Sequence, residues 1–538
     1  MEPLQVGRVR PIDYDLPYPS QRSPVLAKNI VATSQPLASQ AGLRMLLAGG
    51  NAVDAAIATA ITLTVVEPTA NGVGSDAFAV VWDGRALHGL NASGRSPAAW
   101  SRARFASLES MPARGWDSVT VPGAVSAWVS LSERFGKLPF ERLFEPALSY
   151  AGGGFPVSPV IAALWDRISV KYRGQPGFDE AFLPGGRAPF PGERFVNPAL
   201  AKSLQAIAES RGAALYQGSL AEALVRHAAA HGGAMTMADL GEHRVDWCGT
   251  LSQHINGLAV HEIPPNGQGI ATLIALGILR HLGVDRYPAD GVDAIHLQIE
   301  AIKLAIADVQ AYVGDPASMT IGAGTLLDDA YVAARARQVD PAHACDFTAG
   351  VPRQGGTVYL ATADARGMMV SYIQSNYEGF GSGVVVPGTG ISLQNRGWGF
   401  SMAHGHPNEV GPRKRPFHTI IPGFAMRDGR PAMSFGLMGG PMQAQGHLQL
   451  AVRMHLFGQN PQAASDAPRW QVLQGRKVSV EAGMSAETVR GLVERGHLIQ
   501  QEAPQAAFAF GGAQIIVRTD SGYVAGSDHR KDGAAVGY

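Results

Sequence analysis

Cysteine is almost missing from this chain. Cys248 and Cys345 are the only two in 538 residues, far apart and without CxxC spacing. That argues against a disulfide framework and a thiolate metal site, and two thiols suit a reducing, cytoplasmic compartment. An excess of charge of either sign is missing too: 44 basic and 44 acidic residues cancel, and the 16 histidines are scattered. With no basic face implied for nucleic acid or an anionic membrane surface, a small-molecule partner is the default. Long apolar runs are also lacking. The longest, 53–66, contains Asp54 and three threonines and falls short of the roughly 20 residues that span a bilayer, so it reads as a buried helix. The first residues, 1–23, carry Glu2, Asp13 and Asp15 among prolines, without the basic start and apolar stretch of a signal peptide.

Glycine and proline, by contrast, are plentiful, at 65 and 35, which suits a layered protein of helices and strands rich in turns and close backbone approaches. Residues 39–66 read as two helices split by Gly49-Gly50-Asn51, a glycine stop followed by a fresh start. Residues 78–82 and 86–90 flank Asp83-Gly84-Arg85 as a hairpin. Helical periodicity dominates 121–233, interrupted by a Gly/Pro-rich loop over 174–193, and a long amphipathic helix is predicted over 293–312 with Asp293 as its N-cap. A further helix near 327–337 leads into residues 340–356, a polar linker without clear periodicity and the best candidate for a cleavable joint. Beyond it, 358–363 and 368–373 form a second predicted hairpin around Asp364-Ala365-Arg366-Gly367, and strands fit 420–426, 432–435, 514–517 and 523–526.

The chemistry centres on Gly355-Gly356-Thr357, followed at once by a strand. A threonine hydroxyl needs an adjacent base to act as a nucleophile, and the free α-amine of the same residue can be that base. Its unperturbed pKa of about 7.7–8.0 leaves it partly neutral at cytoplasmic pH. Because Thr357 is internal, the chain must first cut itself: the hydroxyl attacks the Gly356 carbonyl, an ester forms, and water releases a chain that begins at Thr357. From the triplet alone, a loop followed by a strand that opens with Thr is the simpler reading.

The surroundings of the triplet resemble the gamma-glutamyltransferase family of N-terminal-nucleophile (Ntn) hydrolases from residue 32 to the end of the chain. Gly49-Gly50-Asn51-Ala52-Val53-Asp54-Ala55-Ala56 looks like the family's most recognisable helix start. Val121-Pro122-Gly123, Pro264-Pro265-Asn266-Gly267-Gln268-Gly269, and Asp308 with Tyr312-Val313-Gly314-Asp315-Pro316 match further landmarks. Thr357 lies seven residues before Asp364, the spacing expected of the family's nucleophile and a following aspartate, and Ser527-Asp528-His529-Arg530 through Gly537-Tyr538 looks like its closing motif.

The resemblance implies roles. Thr357 is the nucleophile and, through its amine, the base. Gly439 and Gly440 offer backbone N–H groups to the oxyanion, which suits residues without a Cβ. Arg95 clamps a carboxylate of the acyl group with its guanidinium fork. Asn376 lines the acyl pocket, and His418 and Thr419 occupy the places of paired serines that touch the substrate carboxylate. Three departures stand out. Arg396 and Gly399 replace the glutamine and aspartate that hold a glutamyl α-amino group in the transferases, so the pocket attracts an anion where theirs binds an ammonium. Gln374 replaces the threonine that assists the nucleophile, and 401–412 is shorter than the transferases' lid loop.

The implied fold is α+β, a four-layer αββα sandwich of two antiparallel sheets with helices outside. A large helix-rich fragment, 1–356, and a small one, 357–538, build it jointly as an obligate heterodimer, with a dimer of heterodimers as the next level of assembly. The implied activity is hydrolysis of a small carboxylate-bearing amide, of oxamate or glutaryl-amide type, through an acyl-threonine. A true gamma-glutamyltransferase or glutathione hydrolase is the first alternative, and an unprocessed, non-catalytic binding protein the second. No cofactor or metal is expected. His404-Gly405-His406 with His418 lacks further ligands at useful spacing, Gly379-Phe380-Gly381-Ser382-Gly383 lacks the rest of a phosphate loop, Glu300 and Lys303 read as an exposed or partly buried ion pair, and no local group activates Cys345.

Overall fold

The structure is a computed structural model that describes residues 21–347 and 356–538. Most of the N-terminal segment without a signal pattern, and residues 348–355 of the expected linker including Gly355, lie outside the described residues.

Two seven-stranded antiparallel sheets are stacked face to face. The first runs, in spatial order, Ala534–Gly537, Ile30–Thr33, Gly356–Ala363, Met369–Tyr377, Asp76–Trp82, Leu87–Asn91 and Asp246–Trp247. The second runs Val25–Ala27, Gly522–Ser527, Ala513–Thr519, Arg430–Leu437, Gly423–Arg427, Leu258–Glu262 and Leu251–Ile255. Each sheet draws strands from both sides of the Gly356–Thr357 bond. Gly356–Ala363 is itself central, paired with Ile30–Thr33 on one edge and Met369–Tyr377 on the other.

Three apolar clusters separate the layers, and strand alternation decides which residues join which. Val358 and Leu360 point to the helices outside the first sheet, whereas Tyr359, Ala361 and Ala363 point between the sheets, where they meet Phe424, Ile516 and Tyr523. On the partner strand, Val370 and Tyr372 face the helices, and Met369 and Ile373 face inward. The third cluster joins the second sheet to the helices Gly269–Leu282, Val292–Tyr312 and Met442–His455. Helix, sheet, sheet, helix is the α+β Ntn-hydrolase arrangement expected. Fully buried Val, Leu, Ile or Phe side chains stabilise such layers by about 1.5–3 kcal/mol each.

The most buried helix is Ala52–Val66, in which all fifteen residues are inaccessible. Asn51 caps it, accepting from the Asp54 N–H while Asp54 accepts from the Asn51 N–H, a capping box. Asp364, from the hairpin after Thr357, accepts from the Ala52 N–H at 3.0 Å. The aspartate spaced seven residues after Thr357 therefore ties the strand to the helix that backs it. Two expectations need correction. The long helix spans Val292–Tyr312 with Gly291 at its N-cap, and Asp293 sits inside the first turn. The Glu300–Lys303 pair is fully buried at 2.6 Å, because Cys345 folds over it: its N–H donates to Glu300 and its carbonyl accepts from Lys303.

Candidate active site

The alternation that sorts the core also selects what surrounds Thr357. Being odd-numbered on its strand, Thr357 faces between the sheets with Ser375 of the neighbouring strand and is fully buried. Its Oγ1 donates to Ser375 Oγ at 3.1 Å, and Ser375 Oγ donates in turn to the Gly356 carbonyl at 2.6 Å. The Tyr377 N–H donates to the same Ser375 oxygen at 2.7 Å, which fixes the serine's remaining acceptor site and hence the direction of the chain of donors. A register shift between Gly356 and Val358 sets this geometry apart from the regular ladder. Ser375, not Gln374, is thus the strand neighbour whose side chain bonds to Thr357. Gln374 is even-numbered and lies on the helix side, where it bonds to Asn71, Trp128 and Tyr372.

Opposite Thr357, the strand Arg430–Leu437 ends and the helix Met442–His455 begins. Gly439 and Gly440 make the turn at φ of +130° and +60°, a backbone path that only glycine takes without strain. Gln268, from the Pro-Pro-Asn-Gly-Gln-Gly landmark, ties this turn down by donating to the carbonyls of Gly440 at 2.9 Å and Thr419 at 2.6 Å. In the first turn of the helix, Gln443 accepts from the Ile421 N–H through Oε1 and directs Nε2 to Thr357 Oγ1 at 3.4 Å. Sequence reasoning missed Ser375 and Gln443. The first was legible, since an i, i+2 pattern on a strand selects 375 and 377 over 374 and 376, but the second required the turn's geometry.

Arg396 is buried, with 1% of its surface exposed. Its Nη1 donates to Thr419 Oγ1 at 2.9 Å, and the guanidinium lies 4.5 Å from the Tyr377 ring centre. Its Nε and Nη2 have no hydrogen-bond partner among the described residues. Burial lowers its pKa to about 10, against the opposing pull of Asp76, so it remains a cation. The same burial raises Asp76 to about 7, with Arg396 the strongest of the groups that oppose the rise. Tyr377 adopts φ of +80°, a left-handed conformation that costs a non-glycine residue about 1 kcal/mol or more, and Trp398 packs on its ring at 5.5 Å between centres.

The remaining expected residues divide. Thr419 lines a cavity of about 430 Å³ together with Gly399, Tyr377 and Pro441. His418, its neighbour, points the other way into the core, where Nε2 meets Asp76 Oδ2 at 3.1 Å, and burial with Arg396 and Arg415 nearby holds it neutral. Asn376 also faces away from the nucleophile, accepting from Ser75 and donating to Ser392. Arg95 lines a separate cavity of about 240 Å³ with Arg413 and His243, 3.8 Å from Asp246. The structure therefore brings Thr357, Gly439, Gly440, Arg396 and Thr419 together, but not Arg95, Asn376 or His418 with them. His404 and His406 are apart from His418, bonded to Glu409 and to the Gln310 carbonyl.

The gamma-glutamyltranspeptidase family model matches residues 38–538. The chain belongs to that family. Among curated members, it is 36% identical over 526 residues to a glutathione hydrolase-like YwrD proenzyme of Bacillus subtilis, covering 96% of this chain and 99% of the relative. It is 37% identical over 520 residues to an oxamate amidohydrolase proenzyme of Klebsiella pneumoniae, covering 93% and 97%. The solved structure of a cephalosporin acylase from Bacillus halodurans superposes with a TM-score of 0.93 at 46% identity, over 98% of this chain and 99% of that one. As a member of the gamma-glutamyltranspeptidase family with the Ntn-hydrolase fold, the protein is an enzyme. No helix among the described residues is long and apolar enough to cross a membrane.

Proposed function

We propose that the protein cuts its own Gly356–Thr357 bond and then hydrolyses an amide whose acyl part bears a carboxylate, through an ester on Thr357. The observation that carries this reading is the donor chain Thr357 Oγ1 to Ser375 Oγ to the Gly356 carbonyl. It holds the hydroxyl beside the carbonyl it must attack and polarises that carbonyl. In self-cleavage the Thr357 Oγ–C bond forms, the Gly356 C–N bond breaks, and the proton that Oγ gives up passes to the nitrogen, which becomes the α-amine. Water then cleaves the ester, leaving Gly356 as a carboxylate and Thr357 with its hydroxyl restored. Residues 1–356 and 357–538 stay together as a heterodimer, since both sheets are built from both fragments.

In turnover the α-amine takes the hydroxyl proton, Oγ attacks the substrate carbonyl, and the oxyanion falls to the N–H groups of the Gly439–Gly440 turn. The amine then passes its proton to the leaving nitrogen, and water resolves the acyl ester. Arg396, with two buried donors unused, supports an anionic acyl end, and Gly399 offers no carboxylate for the ammonium of a glutamyl group. The oxamate amidohydrolase and cephalosporin acylase relatives are in keeping with this preference.

Intact mass spectrometry under denaturing conditions tests the reading. Two species corresponding to 1–356 and 357–538 are expected, with neither cleavage nor turnover in Thr357→Ala and part of each in Thr357→Ser. One uncut species in an active preparation, or cleavage of the alanine variant, would refute it and favour the unprocessed alternative or an outside protease.

A further inference from the structure

The cavity beside Arg396 is larger than a carboxylate and a scissile amide require. At about 430 Å³ it falls in the range of pockets that enclose drug-sized ligands, whereas oxamate has only a handful of heavy atoms. Its character also changes along its length. Near Thr419 and Tyr377 it is polar, and these two lining side chains are the ones Arg396 meets, by a hydrogen bond and across the ring face. The Gly440–Pro441 turn comes next, because Gln268 bonds to both Thr419 and Gly440. One helical turn past Gln268, Ala271 begins an apolar wall continued by Ile306, Val309 and Val313, which helical spacing places on one face of the helix Val292–Tyr312 and its end. Phe400 and Phe417 close the other side.

The polar groups on this rim are occupied with one another. His406 Nε2 bonds to the Gln310 carbonyl at 2.8 Å. Asn408 donates to the Gly399 carbonyl at 2.7 Å and accepts from the Phe417 N–H at 2.8 Å. An incoming group therefore meets mostly carbon surface, on the far side of the oxyanion turn from Arg396.

We propose that the amine side of the scissile amide carries an apolar group of about the size of a benzene ring, seated against Ala271, Ile306, Val309 and Phe417, so that the substrate is a secondary amide and not a primary one such as oxamate. This rests on the acyl-Thr357 reading above. The charge of the acyl end selects Arg396, and the leaving amine fills the remainder of the cavity.

The test compares kcat/KM for two pairs on the processed protein: oxamate with N-benzyloxamate, and glutaramate with N-benzylglutaramate. Each pair shares its acyl group, and ammonia and benzylamine have similar basicity, so the ratio isolates contacts on the amine side. The benzyl member is expected to be about tenfold to a hundredfold better, the span for burying a Phe-sized side chain. Ala271→Leu, which fills the seat, should bring the ratio towards one, with an unchanged melting temperature showing that the variant is folded. Ratios at or below one in both pairs, with an acyl-Thr357 adduct visible by mass spectrometry from the primary amides, would overturn the apolar seat and leave the acyl-enzyme reading intact. No turnover and no adduct from any of the four would overturn the reading, and the seat with it.

Discussion

Two of the regions that bury arginine in this molecule do so in opposite ways. Near the closing motif, Arg530 is held by both oxygens of Glu481, by Asp528, and by the carbonyls of Ser465 and Ala467. Arg469 beside it meets Asp528 and the carbonyls of Phe510 and Ser465. There the guanidinium groups drive the Asp528 carboxyl far below its ordinary range, and Arg530 is shifted up in turn. At the active site, Arg396 keeps one hydrogen bond to Thr419 and two donors with none, and burial drives it down to about 10. The saturated charges belong to the frame, whereas on the reading proposed above the unsaturated Arg396 awaits a ligand, because leaving donors unpaired in a dry site costs stability that an incoming anion recovers.

The comparison breaks most visibly at the frame. Asp528→Ala leaves two guanidinium groups facing each other without their shared carboxylate, and removing one partner of a buried ion pair costs about 3–5 kcal/mol. Thermal or chemical denaturation should show that loss, with little folded enzyme recovered. Arg396→Met should do the reverse. Measured at pH 6, where Asp76 is mainly protonated and needs no partner, stability should stay within about 1 kcal/mol of the parent, while kcat/KM for carboxylate-bearing amides falls about a hundredfold, equivalent to about 2.7 kcal/mol. An Arg396→Met protein that melts as early as Asp528→Ala and keeps its preference for anionic amides would erase the distinction between the two sites.

Much of the fold and part of the site are legible in the amino-acid sequence. The hairpin read over 78–90 and found as Asp76–Trp82 with Leu87–Asn91, the helix start at Asn51, the strand read over 358–363 and found as Gly356–Ala363, and the turn at Gly439-Gly440 all rest on local rules of capping, alternation and glycine conformation, and they fall within two residues of where those rules put them. What local rules do not fix is tertiary placement. Arg95 and Arg396 look equivalent as basic residues in polar loops, yet Arg95 lies beside Asp246, whose carboxylate also meets Arg415, and only Arg396 is enclosed. His418 and Thr419 adjoin in sequence, but successive side chains of an extended segment point to opposite sides, so one faces Asp76 and the other the cavity. Glu300 and Lys303 are spaced like a surface pair, and nothing local announces that Cys345 covers them.

A smaller effect tests the nucleophile's neighbour. Ser375→Ala removes the hydrogen bond to the Gly356 carbonyl and the acceptor of the Thr357 proton, leaving the Tyr377 N–H without its partner. Self-cleavage, followed by the appearance of the 357–538 fragment over time, should slow by about tenfold to thirtyfold, the cost of one buried hydrogen bond weighted to the reacting centre. Ser375→Thr, which restores the hydroxyl, should recover most of the rate. Equal rates in the alanine variant and the parent would show that the donor chain has no part in the cleavage, whatever its geometry.

The finest distinction between the two arginine sites is their pH response, and it turns on Asp76. Below about pH 7 Asp76 is mainly protonated, so Arg396 has no counterion of its own and an anionic substrate meets its full charge. Above about pH 7 the ionised Asp76 competes for that charge, and anion binding weakens. KM for an anionic amide should therefore rise a few-fold between about pH 6 and 8.5, a range in which the substrate carboxylate stays ionised and contributes nothing to the slope. KM is the quantity to follow, because kcat also carries the titration of the Thr357 α-amine near 7.7–8.0. Asp76→Asn, which keeps the shape and removes the charge, should flatten the KM profile at its low-pH value. Stability supplies an independent sign. A carboxyl raised above its ordinary 3.8 in the folded state favours folding fully below that value and loses the contribution as pH rises through about 7, so the parent should weaken over that window while the asparagine variant does not. A KM that stays level across the range in the parent would mean that Asp76 does not set the charge Arg396 presents, and the contrast with the Asp528 cluster would then rest on hydrogen bonding alone.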